Sequence, residues 1–298
     1  MDSECIVCHM RQSLDVCRFV NAEEAKRQEV LQRVMEILLE RDAYDQGEIG
    51  FIIRNEVKRI LDLRDPYQVV KDESIRQSLG LYPRLKELVR ESKQPLKRAV
   101  EIALAGNVID VGPSSSYDME RAVLEVLQEA KHHFDWDAFQ REIQKAEYVL
   151  MLGDNAGETV FDRVLIEEIS RPVKYAVKSE PVLNDAVLED AVASGLDKVA
   201  EIVENGSPMS GTVLSRCSRE FLELYADAPM VISKGQANFE SLAVETRRIF
   251  FLFKVKCDLL ARTYDLPLNE YVLLDNRNFR YRNDSGFRYL LASIISAA

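Results

Sequence analysis

The chain has 298 residues, 47% of them hydrophobic, and a formal net charge of −11. This length suits about two domains of roughly 150 residues each, with enough apolar material for a large core. The acidic balance argues against broad nucleic-acid or anionic-membrane binding, which needs a positive footprint, and no run approaches the ~18–20 apolar residues of a membrane helix.

The opening segment, MDSECIVCHMRQ, is polar and lacks the apolar stretch of a secretory signal, so a cytoplasmic location is expected. Five cysteines, Cys5, Cys8, Cys17, Cys217 and Cys257, are an odd number in a chain too large to need disulfide staples. Free thiols, or a local metal or redox cluster around Cys5-x-x-Cys8 with His9 and Cys17, are the expectations; Cys257 could join only by folding back. Residues 1 to about 95 read as helical. Ala22–Arg41 places Ala25, Val30, Val34, Ile37 and Leu38 near the helical period, and Gly47–Leu63 repeats the pattern. Asp65-Pro66 signals the start of the next helix, and Tyr82-Pro83 the start of another. Helices follow from Gln94 to Ala105, where Gly106 is expected to end the helix and Asn107 and Asp110 to lie in a turn. Asp118–His132 and Asp137–Lys145 are helical too, and His132-His133 near a helix end complement its dipole.

From Tyr148 onward the pattern alternates. Strands are expected at Tyr148–Leu152, Val173–Val177, Val199–Val203, Pro229–Ser233, Ile249–Phe253 and Tyr271–Leu274, mostly separated by helices. That order implies βαβ units and a mainly parallel sheet. The apolar tail, Ser285–Ala298, reads as a docked terminal helix. The fold expected is α/β, with an all-helical domain over 1–95 and a three-layer α/β/α catalytic domain over 96–298.

Chemistry concentrates where strands end. Asp154-Asn155 follows the first strand and Asn184-Asp185 lies beyond the second, at the sheet edge where open α/β folds bind ligands. Each Asp alone could be a helix N-cap. Two such turns in succession form an oxygen-rich cluster suited to a hard divalent cation such as Mg²⁺ or Mn²⁺. Glu158 and Asp162 lie one helical turn apart just after. Lys234 ends the apolar run Met230–Ser233 and suits a phosphate, with Gln236 and Asn238 adding polar groups; a solvated loop lysine is the plainer reading. The loop Gly206–Thr212, including Gly211, could cradle an anion or merely connect elements. With three histidines and none beside a Ser or Cys motif, a Ser-His-Asp hydrolase is poorly supported.

AGNVIDVG, GDNAGETVFD, PVLNDAVLEDA and ISKGQANFESL, in this order, resemble the metal-dependent damage-control phosphatases, the family of domain of unknown function 89. The Cys5-x-x-Cys8 and Lys254-Val255-Lys256-Cys257 segments resemble its prokaryotic branch. Another branch has K-G-D-L-N where this chain has Lys234-Gly235-Gln236-Ala237-Asn238. The resemblance implies a helical domain followed by an α/β/α domain, and hydrolysis of phosphate monoesters of small metabolites such as sugar phosphates. It also implies a divalent cation (Mg, Mn, Co or Ni) on Asp154, Asn155 and Asp185, with Lys234 near the substrate phosphate. Asn107 and Asp110 would sit at the rim.

The resulting expectation is a metal-dependent phosphomonoesterase. Asp154, Asp185 and Lys234 are its catalytic candidates, with either Asp as base or nucleophile. Asn107, Asp110, Lys234, Gly211 and Asn238 are its substrate-binding candidates. The partner is a small phosphorylated metabolite, and oligomerisation is open. The rivals are a carboxyl methyltransferase using S-adenosylmethionine, for which GDNAG is a poor glycine-rich turn, and a non-catalytic metabolite binder.

Overall fold

The computed structural model describes residues 3–40, 48–109, 116–128 and 133–278. Asp110, residues 111–115 after it, His132 and the tail at 285–298 lie outside the described residues.

Three helices, α1 (Ser3–Phe19), α2 (Glu24–Leu39) and α3 (Ile49–Leu61), share one small core. Val30, Val34, Ile37 and Leu38 of α2 recur at helical spacing and meet Ile49, Ile53, Val57 and Ile60 of α3. Phe19 packs edge-on against Tyr67, with centroids 5.5 Å apart.

The next helix, α4 (Gln68–Arg90), starts beside Asp65, whose Oδ1 accepts the Tyr67 N–H at 2.9 Å. It runs straight through Pro83, where the sequence pattern predicts a new start. Proline removes the N–H that would bond to the carbonyl of residue 79. Leu79 lies on the exposed face of the helix. The helix is retained because Leu81, Leu85 and Val89 on both sides of Pro83 bury into the core of the sheet layer. Packing thus joins α4 to the sheet rather than to α1–α3.

Next come α5 (Pro95–Ala105), a 3₁₀ turn (Gly106–Ile109), α6 (Ser116–Gln128) and α7 (Trp136–Lys145). Gly106 keeps a right-handed helical φ of −52°, so it tightens the helix instead of ending it with a left-handed residue. It is small because Phe161 lies against it: a Cβ there would be 3.0 Å from the Phe161 Cβ.

The sheet contains β1 (Val149–Leu152), β2 (Val173–Val177), β3 (Glu201–Glu204), β4 (Met230–Lys234), β5 (Phe250–Lys254) and β6 (Tyr271–Asp275). Their order is β3-β2-β1-β4-β5-β6; all pairs are parallel except β5–β6. Side chains alternate between two cores, as strand geometry requires. Val149 and Met151 face the layer of α4–α7 and α8 (Thr159–Ile166). Leu150 and Leu152 face α10 (Arg219–Asp227), α11 (Gln236–Leu242) and α12 (Asp258–Tyr264). The short α9 (Leu188–Ala193) follows the second strand. The result is a three-layer α/β/α fold. Both faces of the central strands are covered, which explains their continuous apolar runs. Among the described residues, no helix is long and apolar enough to cross a membrane.

The two parts are joined by polar contacts as well. Lys71 of α4, 1% exposed, holds Asp65 at 2.7 Å and Asp190 of α9 at 2.8 Å. Ser78 donates to the Gly157 carbonyl at 2.9 Å, and Tyr82 to Glu167 at 2.6 Å. These contacts press the helical layer against the turn that follows β1.

Candidate active site

Strand order reverses at β1, which lies between β2 and β4. Chains leaving a sheet in opposite directions open a crevice at the carboxyl ends of such strands. Asp154 and Asn155 follow β1 there. Asp185 follows β2 and returns to meet them: Asn155 and Asp185 form an antiparallel bridge. The Ala156 N–H donates to the Asn184 carbonyl and the Ala186 N–H to the Asp154 carbonyl, each at 2.8 Å. The backbone therefore sets the spacing of Asp154, Asn155 and Asp185. Asp185 is 4% exposed, while Asp154 and Asn155 are half-buried.

Gly235, just after β4, completes this cradle. Its φ is +82°, and a Cβ on it would stand 2.1 Å from Asp154 Oδ2. Only glycine fits beside that carboxylate.

Asn155 Nδ2 donates to Glu158 Oε1 at 3.0 Å, which leaves Asn155 Oδ1 as an acceptor. Asn107 Nδ2 donates to the same Glu158 oxygen at 2.7 Å. Asn107 Oδ1 is buried and has no hydrogen-bond partner among the described residues. The 3₁₀ turn after α5 thus brings Asn107 to the back of the crevice. Asp110 lies outside the described residues.

Lys234 is 1% exposed. It shares parity with Ile232, so the sheet aims it beneath the crevice at α8. Its ammonium donates to Glu158 Oε2 at 3.1 Å and Asp162 Oδ1 at 2.5 Å. Tyr175 of β2 donates to Asp162 Oδ2 at 2.7 Å. Gly153 makes room for this ring: a Cβ there would lie 2.6 Å from the Tyr175 hydroxyl. Burial pushes Asp162 up to about 6, against the pull of Lys234. Burial also works against the charge on Lys234, but Asp162 and Glu158 outweigh it and hold its pKa above the ordinary lysine value. Lys234 is therefore tied to two carboxylates, one of which orients Asn155 and Asn107.

Asn238 has all its polar groups engaged. Its Nδ2 donates to the carbonyls of Gly153 at 3.0 Å and Lys234 at 2.7 Å, and its Oδ1 accepts from Thr212 at 2.8 Å. It pins the ends of β1 and β4 together. The Gly206–Thr212 loop spends amides internally, Ser207 N–H on Asn205 and Met209 N–H on Ser207. The Gly211 carbonyl accepts from Lys178.

Lys178 is a residue that the sequence pattern did not single out. It is 3% exposed and lies 3.7 Å from Asp185 Oδ2. Burial lowers its pKa, with Asp185 and Asp154 opposing. The rule that found Lys234, a lysine at a strand's carboxyl end, would also have found it. Tyr175 had no such signal, because it looks like any core aromatic.

The residues present fit a divalent cation. Two half- to fully buried carboxylates and one carboxamide oxygen are hard donors, and the Asn155–Glu158 bond orients that amide to accept. Among the described residues no group of three His, Cys, Asp or Glu side chains is arranged to hold a metal, so the amide is a needed member of this set. The N-terminal cysteines form no such group either, and among the described residues no cysteine is in a disulfide. Folding does bring Cys257 near α1, where burial and then Cys257 push the Cys8 thiol up.

The sequence matches the damage-control phosphatase ARMT1-like domain over residues 1–272. A damage-control phosphatase of Pyrococcus horikoshii is 31% identical over 287 residues, 92% of this chain and 97% of that protein. One from Archaeoglobus fulgidus is 31% identical over 229 residues, 74% and 79% of the two chains. The crystal structure of a DUF89 family protein from Pyrococcus horikoshii superposes with a TM-score of 0.84 at 30% identity, covering 93% of this chain and 99% of that one. The chain therefore belongs to the damage-control phosphatase ARMT1-like family, and it is a phosphatase.

Proposed function

We propose that the chain hydrolyses phosphate monoesters of small metabolites, sugar phosphates or damaged phosphometabolites, with a divalent cation at Asp154, Asn155 and Asp185. The observation carrying this reading is the Asn155–Asp185 bridge beside Gly235, which gathers three oxygen donors at the switch point of the sheet. Mg²⁺, Mn²⁺, Co²⁺ and Ni²⁺ all accept such donors. A bound cation supplies Lewis acidity toward a phosphoryl oxygen and lowers the pKa of a water.

The protein's own groups do the rest. Asp154 and Asp185 present carboxylates at the crevice, and either serves as base toward the attacking water. Lys234, through Glu158, keeps Asn155 and Asn107 in register, which makes it a positioning residue. Asn238 and the Gly211 carbonyl shape the floor of the pocket. Asn107 borders the substrate, and the helical domain through residue 95 walls the crevice and selects the leaving group. Five cysteines without a disulfide suit a reducing compartment, and we place the enzyme in the cytoplasm.

The test is a phosphatase screen with p-nitrophenyl phosphate and sugar phosphates, each of the four cations being compared with chelator. Metal-dependent turnover lost in Asp154→Ala is expected. Turnover that ignores chelator and survives Asp154→Ala would overturn the reading.

A further inference from the structure

A phosphate in this crevice needs a cation to meet its charge. Lys234 is engaged by Glu158 and Asp162, and Lys178 by the Gly211 carbonyl and Asp185. The helical domain supplies another. Arg54 of α3 faces a cleft whose lining includes His9, Ile53, Tyr67 and Leu183. Leu183 stands two residues before Asp185, in the same turn. The guanidinium is close enough to the crevice for the Asp185 charge to stabilise it and for its own charge to bear on Lys178.

Several features keep Arg54 in this position. Gly50, one turn earlier on α3, makes space: a Cβ there would lie 3.1 Å from Arg54 Nη1. One turn later, Lys58 donates to the Pro181 carbonyl at 2.5 Å, tying α3 to the loop that carries Asp185. Gly50, Arg54 and Lys58 share one face by helical spacing. No hydrogen bond or ion pair ties the Arg54 guanidinium to another described residue. Burial lowers its pKa, so the protein bears a cost in holding this charge there. His9 beside it is likewise depressed, by burial and then by Arg54, so the pair need not carry two charges.

We propose that Arg54, delivered by the helical domain, grips the phosphate of the substrate at the mouth of the crevice. A guanidinium offers five donors in a planar fork that matches phosphate oxygens two at a time. The cleft behind it, lined by Val16, Ile53, Val57 and Tyr67, then takes part of the esterified group. This proposal rests on the phosphatase reading of the Asp154 crevice.

The test compares wild type, Arg54→Gln and Arg54→Lys in the full chain. Inorganic phosphate binding is measured by calorimetry with Mg²⁺ present, together with KM and kcat for p-nitrophenyl phosphate and melting without ligand. In Arg54→Gln the Kd for phosphate should rise at least tenfold, and kcat/KM should fall about a hundredfold. Arg54→Lys should restore part of the binding only. Because burial of the charge costs more than its described surroundings return, Arg54→Gln should melt no lower than wild type. Phosphate affinity and KM within twofold of wild type in Arg54→Gln would overturn the proposal. So would loss of folding in that variant, which would reveal a structural role. A wild type that neither hydrolyses nor binds phosphate would instead sink the reading of the crevice itself.

Discussion

Lys234 shows how a residue's neighbours decide its role. The sequence marks it as a strand-end lysine near the ligand edge, and the structure ties it to Glu158 and Asp162. Removing it leaves two buried carboxylates without their cation. Lys234→Met should lower stability by about 3–5 kcal/mol, read from chemical denaturation. The same cluster predicts a pH dependence. Asp162 has its folded pKa raised from 3.8 to about 6. A raised folded value means that its contribution is fully present below 3.8 and is lost as pH rises through about 6. Asn cannot titrate. The stability gap between wild type and Asp162→Asn should therefore shrink between pH 4 and pH 7, by up to roughly 3 kcal/mol. A gap that widens with pH would contradict the assignment. Gly235→Ala gives a third test. The new Cβ would meet the Asp154 carboxylate, at a φ of +82°. Metal affinity and turnover should fall by tenfold or more. Global stability should drop by only about 1–3 kcal/mol, the strain of a non-glycine residue in that region.

At the scale of elements, α4 matters most. Pro83 sits inside it, yet Leu81, Leu85 and Val89 keep the helix whole by burying against the sheet. Periodicity alone marks a break because proline is costly within a helix, by about 3 kcal/mol. Tertiary burial outweighs that cost. At the start of α4, Lys71 fastens the helix to Asp65 and to Asp190. Lys71→Met strands both carboxylates in the interior and should cost about 3–5 kcal/mol. Lys71→Met should also raise hydrogen exchange along α4 and α9, because these helices meet at that ammonium. Exchange confined to the α4 start would argue against Lys71 as a joint between the layers.

At the scale of the whole molecule, function depends on distant segments meeting at one edge. Residues 107, 154, 185 and 234 come from four parts of the chain. A cation bridging the turns after β1 and β2 favours the folded form over the unfolded one. At a hundredfold excess over its Kd it should add about 2.7 kcal/mol, seen as a higher melting temperature that chelator reverses. Asp185→Ala should abolish that rise while keeping the fold.

The six strands, most helices and the acidic turns were legible in the sequence because they rest on local rules: apolar runs, caps and turn residues. Strand ends shifted by a residue or two, as with β3 at Glu201–Glu204, since apolar runs extend past hydrogen-bonded pairing. The sequence by itself determined the α/β class, the family and which residues could offer oxygen to a cation, since motif order and periodicity are carried along the chain. Only the tertiary structure decided which way each side chain faces. Sheet parity sends Lys234 down to Glu158 and Asp162, Gly153 admits Tyr175, and α3 brings Arg54 into the cleft that Leu183 also lines. Those roles depend on neighbours that are remote in sequence, and packing alone brings them together.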